Sequence, residues 1–132
     1  MPVRNLFGTS GIRGLIGKEI DVKFSYKLGL ALGKYIAGGR ALVARDPRPG
    51  AKELTQALIK GLGQAGLKVT DCGILATPEL TWYQVKRGCD LGVCVTGSHL
   101  PWNMIGIIPT STEGAGITSE VGQRITEIFY GL

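Results

Sequence analysis

The sequence is poor in the residues that build disulfide or zinc frameworks. Its three cysteines, Cys72, Cys89 and Cys94, are an odd count with no CxxC pair. Each lies in or beside an apolar, strand-like run, which predicts reduced thiols buried in a core. Long hydrophobic runs are missing too. None approaches the roughly 18 residues of a membrane span, so neither a transmembrane helix nor a membrane partner is expected. The opening Met1-Pro2-Val3-Arg4-Asn5 has no apolar signal region, and a cytoplasmic protein is the expectation. Charge imbalance is modest: 15 Lys+Arg against 10 Asp+Glu give +5, scattered without an aromatic-basic ladder. That pattern is compatible with an anionic partner but argues against nucleic acid.

Hydrophobic residues make up 44% and charged residues 19% of the 132 positions, which excludes general disorder. This length predicts one domain, 1–132, burying roughly two thirds of its unfolded surface. Glycine is in excess, with 21 residues, about twice the average share. The glycines cluster in short loops, where a backbone turns tightly or approaches a ligand.

Three glycines, two hydroxyls and an arginine crowd the opening loop, Asn5 to Gly14. Helical periodicity follows from Val22 to Ala37, with Asp21 as a cap and Gly38-Gly39 as a stop. Ala41–Ala44 reads as a buried strand, Ala51–Gln64 as a second amphipathic helix, and Lys68–Cys72 as a strand. Pro78 suits the first turn of a helix over Glu79–Lys86, with Thr77 as its N-cap. Asp90–Val95 is a further buried strand, and Met104–Ile108 suits an antiparallel partner. A last helix covers Glu120–Tyr130. Strands alternating with helices predict a three-layer α/β/α sandwich around a mixed, mostly parallel sheet. In such sheets the functional loops gather outside the carboxyl ends of the strands. That rule brings Asp46-Pro47-Arg48, the Gly73–Pro78 loop and the Ser98 loop to one edge.

Two motifs mislead. Gly61-Leu62-Gly63-Gln64-Ala65-Gly66 reads GxGxxG, but it closes a helix and precedes a strand, the reverse of a dinucleotide site. Close helix packing and a C-terminal stop account for it better. Ser98-His99 invites a hydrolase reading, yet Leu100 occupies the position of the second glycine of the G-x-S-x-G elbow. In an extended segment His99 would also point away from Ser98. What remains is a serine at the end of a buried strand, in a short loop of Gly, Ser, His and Pro. A hydroxyl fixed there suits phosphoryl exchange, which depends on positioning and charge neutralisation. Arg13, Arg45 and Arg48 are candidate fork donors for phosphate oxygens.

Phe7-Gly8-Thr9-Ser10-Gly11-Ile12-Arg13-Gly14, Ala44-Arg45-Asp46-Pro47-Arg48, Gly73-Ile74-Leu75-Ala76-Thr77-Pro78 and Thr96-Gly97-Ser98-His99-Leu100-Pro101 follow in order. Together they resemble the N-terminal domain of the α-D-phosphohexomutases, the phosphoglucomutase and phosphomannomutase group, over essentially the whole chain. The resemblance implies that Ser98 carries an exchangeable phosphoryl group, with His99 and Arg13 as catalytic neighbours. It further implies that Ser10, Asp46, Arg48, Thr96 and Gly97 help bind phosphate or substrate. A hexose phosphate is the implied partner, its 1- and 6-phosphates interconverted through a bisphosphate. Mg²⁺ is implied as cofactor, bridging the phosphate on Ser98 and aspartates of the next domain.

The departures are specific. The family loop runs S-H-N-P and then N-G-x-K; here Leu100, Ile105 and Ile108 replace the two asparagines and the lysine. Pro49-Gly50 replaces the familiar serine after D-x-R. Asp21, Asp46, Asp71 and Asp90 are isolated, so no Asp-x-Asp-x-Asp metal cluster exists. The family has four domains and this length matches one, so the expected partners are the missing mutase domains or another chain. Alone, the domain is expected to turn over very slowly or not at all. A non-catalytic sugar-phosphate-binding or regulatory descendant is the alternative that Leu100 and Ile108 motivate. Trp82, Trp102 and Met104 are expected on exposed docking faces, with self-association at high concentration.

Overall fold

The computed structural model describes residues 4–8 and 10–132. Met1, Pro2, Val3 and Thr9, the last within the opening glycine-rich motif, lie outside the described residues. In chain order the elements are β1 (Ile12–Leu15), α1 (Val22–Ile36), β2 (Arg40–Arg45), α2 (Ala51–Gln64) and β3 (Lys68–Ile74). They continue with α3 (Thr77–Arg87), β4 (Leu91–Thr96), β5 (Met104–Thr110) and α4 (Ser119–Tyr130).

The strands form one sheet in the order β1-β5-β4-β2-β3. β2 is parallel to β3 and β4, whereas β5 is antiparallel to both of its neighbours, β4 and β1. Only β5 therefore runs against the other strands, and the sheet is mixed and mostly parallel as expected. Alternation along each strand divides its side chains between two layers of helix. Ala41 and Val43 of β2 and Val93 and Val95 of β4 join Leu28, Leu32, Leu58, Leu62, Ile125 and Phe129 from α1, α2 and α4. On the other face, Leu42, Ala44 and Cys94 pack with Leu80 of α3. The result is a three-layer sandwich, thick on one side and a single helix deep on the other.

Local chemistry explains the element ends. Asp21 caps α1 by accepting the Phe24 N–H at 2.7 Å. Past its last turn, Ala37 adopts a left-handed conformation (φ 60°). Pro78 lies in the first turn of α3, where its missing N–H is harmless. The cap of that helix is Ala76 rather than Thr77, because the Glu79 carboxylate reaches back to accept the Ala76 N–H at 3.0 Å. A buried polar cluster fixes α3 over the sheet. The Thr110 hydroxyl donates to Gln84 Oε1 at 2.6 Å, and Gln84 Nε2 donates to the carbonyls of Thr110 and Ser111.

Further expectations change on inspection. Ile12–Leu15 is a strand, where the glycine-rich sequence reads as loop; its pairing with Met104–Ile107 of β5 supplies the ladder. Cys89 and Cys94 are buried free thiols, but Cys72 is only half-buried, near the end of the edge strand β3. Trp82 and Trp102 are exposed, while Met104 is half-buried. Among the described residues no helix is long and apolar enough to cross a membrane.

The GxGxxG decoy resolves into packing. A Cβ on Gly61 would strike the Tyr26 carbonyl and lie 3.0 Å from the Gly29 Cα, so α1 and α2 touch backbone to backbone there. Gly63 faces open space. Gly61→Val is therefore expected to destabilise the fold by about 3 kcal/mol, while Gly63→Ala stabilises it by about 1 kcal/mol through helix propensity. Urea denaturation of both variants checks this contrast.

Candidate functional site

Strand β4 delivers the serine. Its last residue, Thr96, is followed by a tight turn in which the Leu100 N–H donates to the Gly97 carbonyl at 2.7 Å. Ser98 is exposed at the tip, with a left-handed φ of 49° that a non-glycine residue adopts only under constraint. The segment is thus a turn, not the extended stretch that its sequence suggests, and strand alternation does not set the direction of His99.

That constraint comes from below. Asp46, just past the end of β2, accepts the Gly97 N–H at 3.0 Å and the Thr96 hydroxyl at 3.3 Å through the same carboxylate oxygen. The Thr96 hydroxyl in turn accepts the Ser98 N–H at 3.2 Å. Arg48 completes the support. Its Nε donates to Asp46 at 2.7 Å, and its Nη1 donates toward the carbonyls of Leu100 (3.2 Å), Pro101 (2.9 Å) and Met104 (2.6 Å). Only 6% of Arg48 is exposed, and its guanidinium fills the space that a Cβ on Gly97 would need.

This arrangement revises the expectation of three arginine forks around one phosphate. Arg48 faces protein oxygens and holds the turn. Arg45 donates to the Asp46 carbonyl at 3.3 Å and does not line the cleft described next. Arg13 is the exposed one. The sheet register explains its placement: Arg13 pairs with Gly106, and Gly106 pairs with Thr96. Arg13 and Thr96 thus flank one glycine, about 10 Å apart across two interstrand spacings. A Cβ on Gly106 would lie 3.1 Å from the Thr96 carbonyl, a tight approach, and 3.5 Å from the Arg13 Cγ, an ordinary contact.

A cleft of about 690 Å³ opens at this edge, with Ser10, Arg13, Thr96, Ser98, Trp102 and Ile108 among the residues that line it. Asp46 and Arg48 contribute to its wall. His99 is exposed on the turn but is not among the lining residues, and Gly97 is buried beneath the turn. A second cleft of about 550 Å³ shares Ser10 and Arg13 and extends along the opening loop to Tyr130. That loop is tied to α4. Leu6 N–H donates to the Thr126 hydroxyl at 3.0 Å, and Asn5 Nδ2 donates to the Ser119 carbonyl at 3.0 Å.

Burial pushes the Cys94 thiol above its usual range; a hydrogen bond with Thr77 opposes this and the nearby Asp46 charge adds to it. Cys94 therefore stays a neutral thiol at physiological pH. Burial also raises the Cys72 thiol, against the pull of Arg87. Among the described residues no three His, Cys, Asp or Glu side chains come together as a metal site. The Asp46 carboxylate is already engaged by Arg48, Thr96 and Gly97. The described residues do not fit a divalent cation by themselves.

Residues 4–131 match the family described as phosphoglucomutase/phosphomannomutase, alpha/beta/alpha domain I. The chain belongs to this family. It is 38% identical over 125 residues to a probable phosphoglucosamine mutase of Methanopyrus kandleri, covering 95% of this chain and 28% of that protein. It is 35% identical to a phosphopentomutase of Thermococcus kodakarensis, over 95% of this chain and 27% of that relative. A phosphoglucomutase/phosphomannomutase family protein of Burkholderia thailandensis superposes with a TM-score of 0.84 at 30% identity, covering 99% of this chain and 31% of that one. This domain I thus spans between a quarter and a third of the length of each. Where it departs from the family loop, Ile108 lines the Ser98 cleft and Ile105 is fully buried in the core. Leu100 still serves the turn through its backbone carbonyl.

Two variants test the turn's construction. Arg48→Met strips the partner from a mostly buried carboxylate and is expected to cost about 3 kcal/mol, with proteolytic sensitivity rising first at residues 97–104. Ser98→Gly relieves the left-handed strain and is expected to be more stable than Ser98→Ala by about 1 kcal/mol. Denaturant titration and limited proteolysis measure both.

Proposed function

We propose that this chain is the phosphoserine-bearing domain of a sugar-phosphate mutase, acting on a hexose phosphate and incomplete on its own. The observation that carries the reading is the exposed Ser98, fixed in a left-handed turn above Asp46 and sharing a cleft with Arg13 and Ser10. In the proposed cycle the Oγ–P bond of phosphorylated Ser98 breaks as a sugar hydroxyl oxygen takes the phosphoryl group. The sugar hydroxyl proton passes to a base, and a proton is supplied to the departing Ser98 Oγ. The bisphosphate then returns its other phosphoryl group to Ser98, the P–O bond to the sugar breaking as the serine proton is removed and the sugar oxygen is protonated. Arg13 would neutralise the phosphate oxygens and the Ser10 hydroxyl would help orient them, while Thr96, donating to Asp46, holds the turn beneath. His99 is adjacent to the reacting serine as a proton-transfer candidate. Relatives named a probable phosphoglucosamine mutase and a phosphopentomutase support a sugar phosphate as the substrate class. Magnesium belongs to the proposal only with carboxylates from outside this chain, and so do the missing mutase domains or a second polypeptide that would bring them. Slow or absent turnover by the isolated chain is part of the same reading.

A second reading is motivated by Ile108, which lines the cleft where the family loop carries a lysine. In it the domain binds sugar phosphates without catalysing transfer. One experiment separates the two. The chain is incubated with glucose 1,6-bisphosphate and a polypeptide supplying the remaining domains of a relative, then analysed by intact mass and peptide mapping. Phosphoserine at position 98 is expected, and Ser98→Ala should lower turnover at least ~10³-fold. No phosphoserine in the original chain, or none even after Ile108→Lys with Leu100→Asn, rejects the catalytic reading in favour of the binding one.

A further inference from the structure

The cleft beside Ser98 has two chemical characters. Ser10, Arg13, Thr96 and Ser98 supply hydroxyls and a cation, whereas Ile74, Leu75, Pro78, Trp102 and Ile108 make the rest of its lining largely apolar. Inorganic phosphate has no use for that apolar portion. Trp102 is its most conspicuous member, 62% exposed and the most exposed large hydrophobic residue among those described. An indole left in water is unfavourable unless it meets something.

The ring is also held. The Arg48 guanidinium lies over it, 5.4 Å from the ring centroid, and that guanidinium is itself fixed by Asp46 and three carbonyls. The Met104 N–H donates to the Pro101 carbonyl at 2.9 Å, closing the turn that carries Trp102. The ring is thus backed by a buried cation, and it contributes to the lining of the cleft while most of its surface is exposed. A flat, pre-oriented apolar surface beside anion-binding groups is the pairing that recognises a ligand with a charged end and an apolar face.

We propose that Trp102 is a platform for the sugar ring, a specificity-determining residue that distinguishes a pyranose phosphate from phosphate alone. One face of a pyranose presents C–H groups with a slight positive charge. The indole face is negative, so the two attract when stacked, and both surfaces leave water. With the ring on Trp102, a phosphate on the same molecule extends toward Arg13 and Ser98 across the shared cleft. The inference rests on the sugar-phosphate reading above and adds to it. Recognition of the sugar body begins within this chain and is not left wholly to other domains.

The chain has two tryptophans, and Trp82 lines a different surface hollow beside Lys86. In a Trp82→Phe background, emission therefore reports on Trp102 alone. The full chain is titrated with glucose 1,6-bisphosphate and, separately, with inorganic phosphate, following fluorescence and calorimetric affinity. The bisphosphate is expected to change Trp102 emission. Trp102→Leu should weaken bisphosphate binding about tenfold while altering phosphate affinity less than about twofold, and Trp102→Tyr should recover most of the loss. If both ligands bind and Trp102→Leu affects neither, or affects both equally, the platform is overturned while the sugar-phosphate reading stands. If the unsubstituted chain does not bind the bisphosphate, the platform is overturned, and the sugar-phosphate reading is decided separately by phosphorylation of Ser98 when the remaining domains are supplied.

Discussion

A carboxylate and a guanidinium two residues apart, Asp46 and Arg48, hold up the loop on which the chemistry depends. Arg48 is buried and Asp46 largely so. Asp46 gathers the Gly97 N–H and the Thr96 hydroxyl, and Arg48 gathers three carbonyls from the far side of the same turn. The pair joins the end of β2 to the loop between β4 and β5, linking residues some fifty positions apart in the chain. Ion pairs this buried often contribute little net stability, but they are demanding about geometry. Geometry is what Ser98 requires, since its backbone is in a conformation that serine would leave if the turn were free.

The rest of the fold delivers that pair to its position. Parallel β2 and β4 lie side by side, so their carboxyl ends bring Asp46 and Ser98 to one edge. Because β5 reverses and pairs with β1, Arg13 is carried to the same edge from the opposite end of the sequence. Glycines permit the close approaches. At Gly106 a Cβ would crowd the Thr96 carbonyl of the neighbouring strand, and at Gly97 the backbone leaves room for the guanidinium beneath it.

Much of this was legible in the sequence, for reasons that differ by element. The bounds of α2 coincide with the reading because its periodicity is strong and its ends are marked by Pro49-Gly50 and Gly66. The first strand was not legible: four residues interrupted by a glycine acquire their identity from pairing with β5, far along the chain. A hydroxyl at position 77 looked like the cap of α3, but a glutamate three residues into the helix took the vacant N–H of Ala76 instead. The rule about strand ends did bring Asp46, Arg48, the loop before Pro78 and Ser98 to one cleft, yet the inward turn of Arg48 was hidden. An arginine turned inward and one turned outward read alike in sequence. The signal that could have separated them was Gly97, a glycine immediately after a buried strand, where a large group must pass close to the backbone.

The opening loop is stitched to α4 through Asn5, Leu6 and Thr126. The final helix is therefore the anchorage of the segment that leads toward the cleft, and loss of α4 would release Asn5 and Leu6 from their partners.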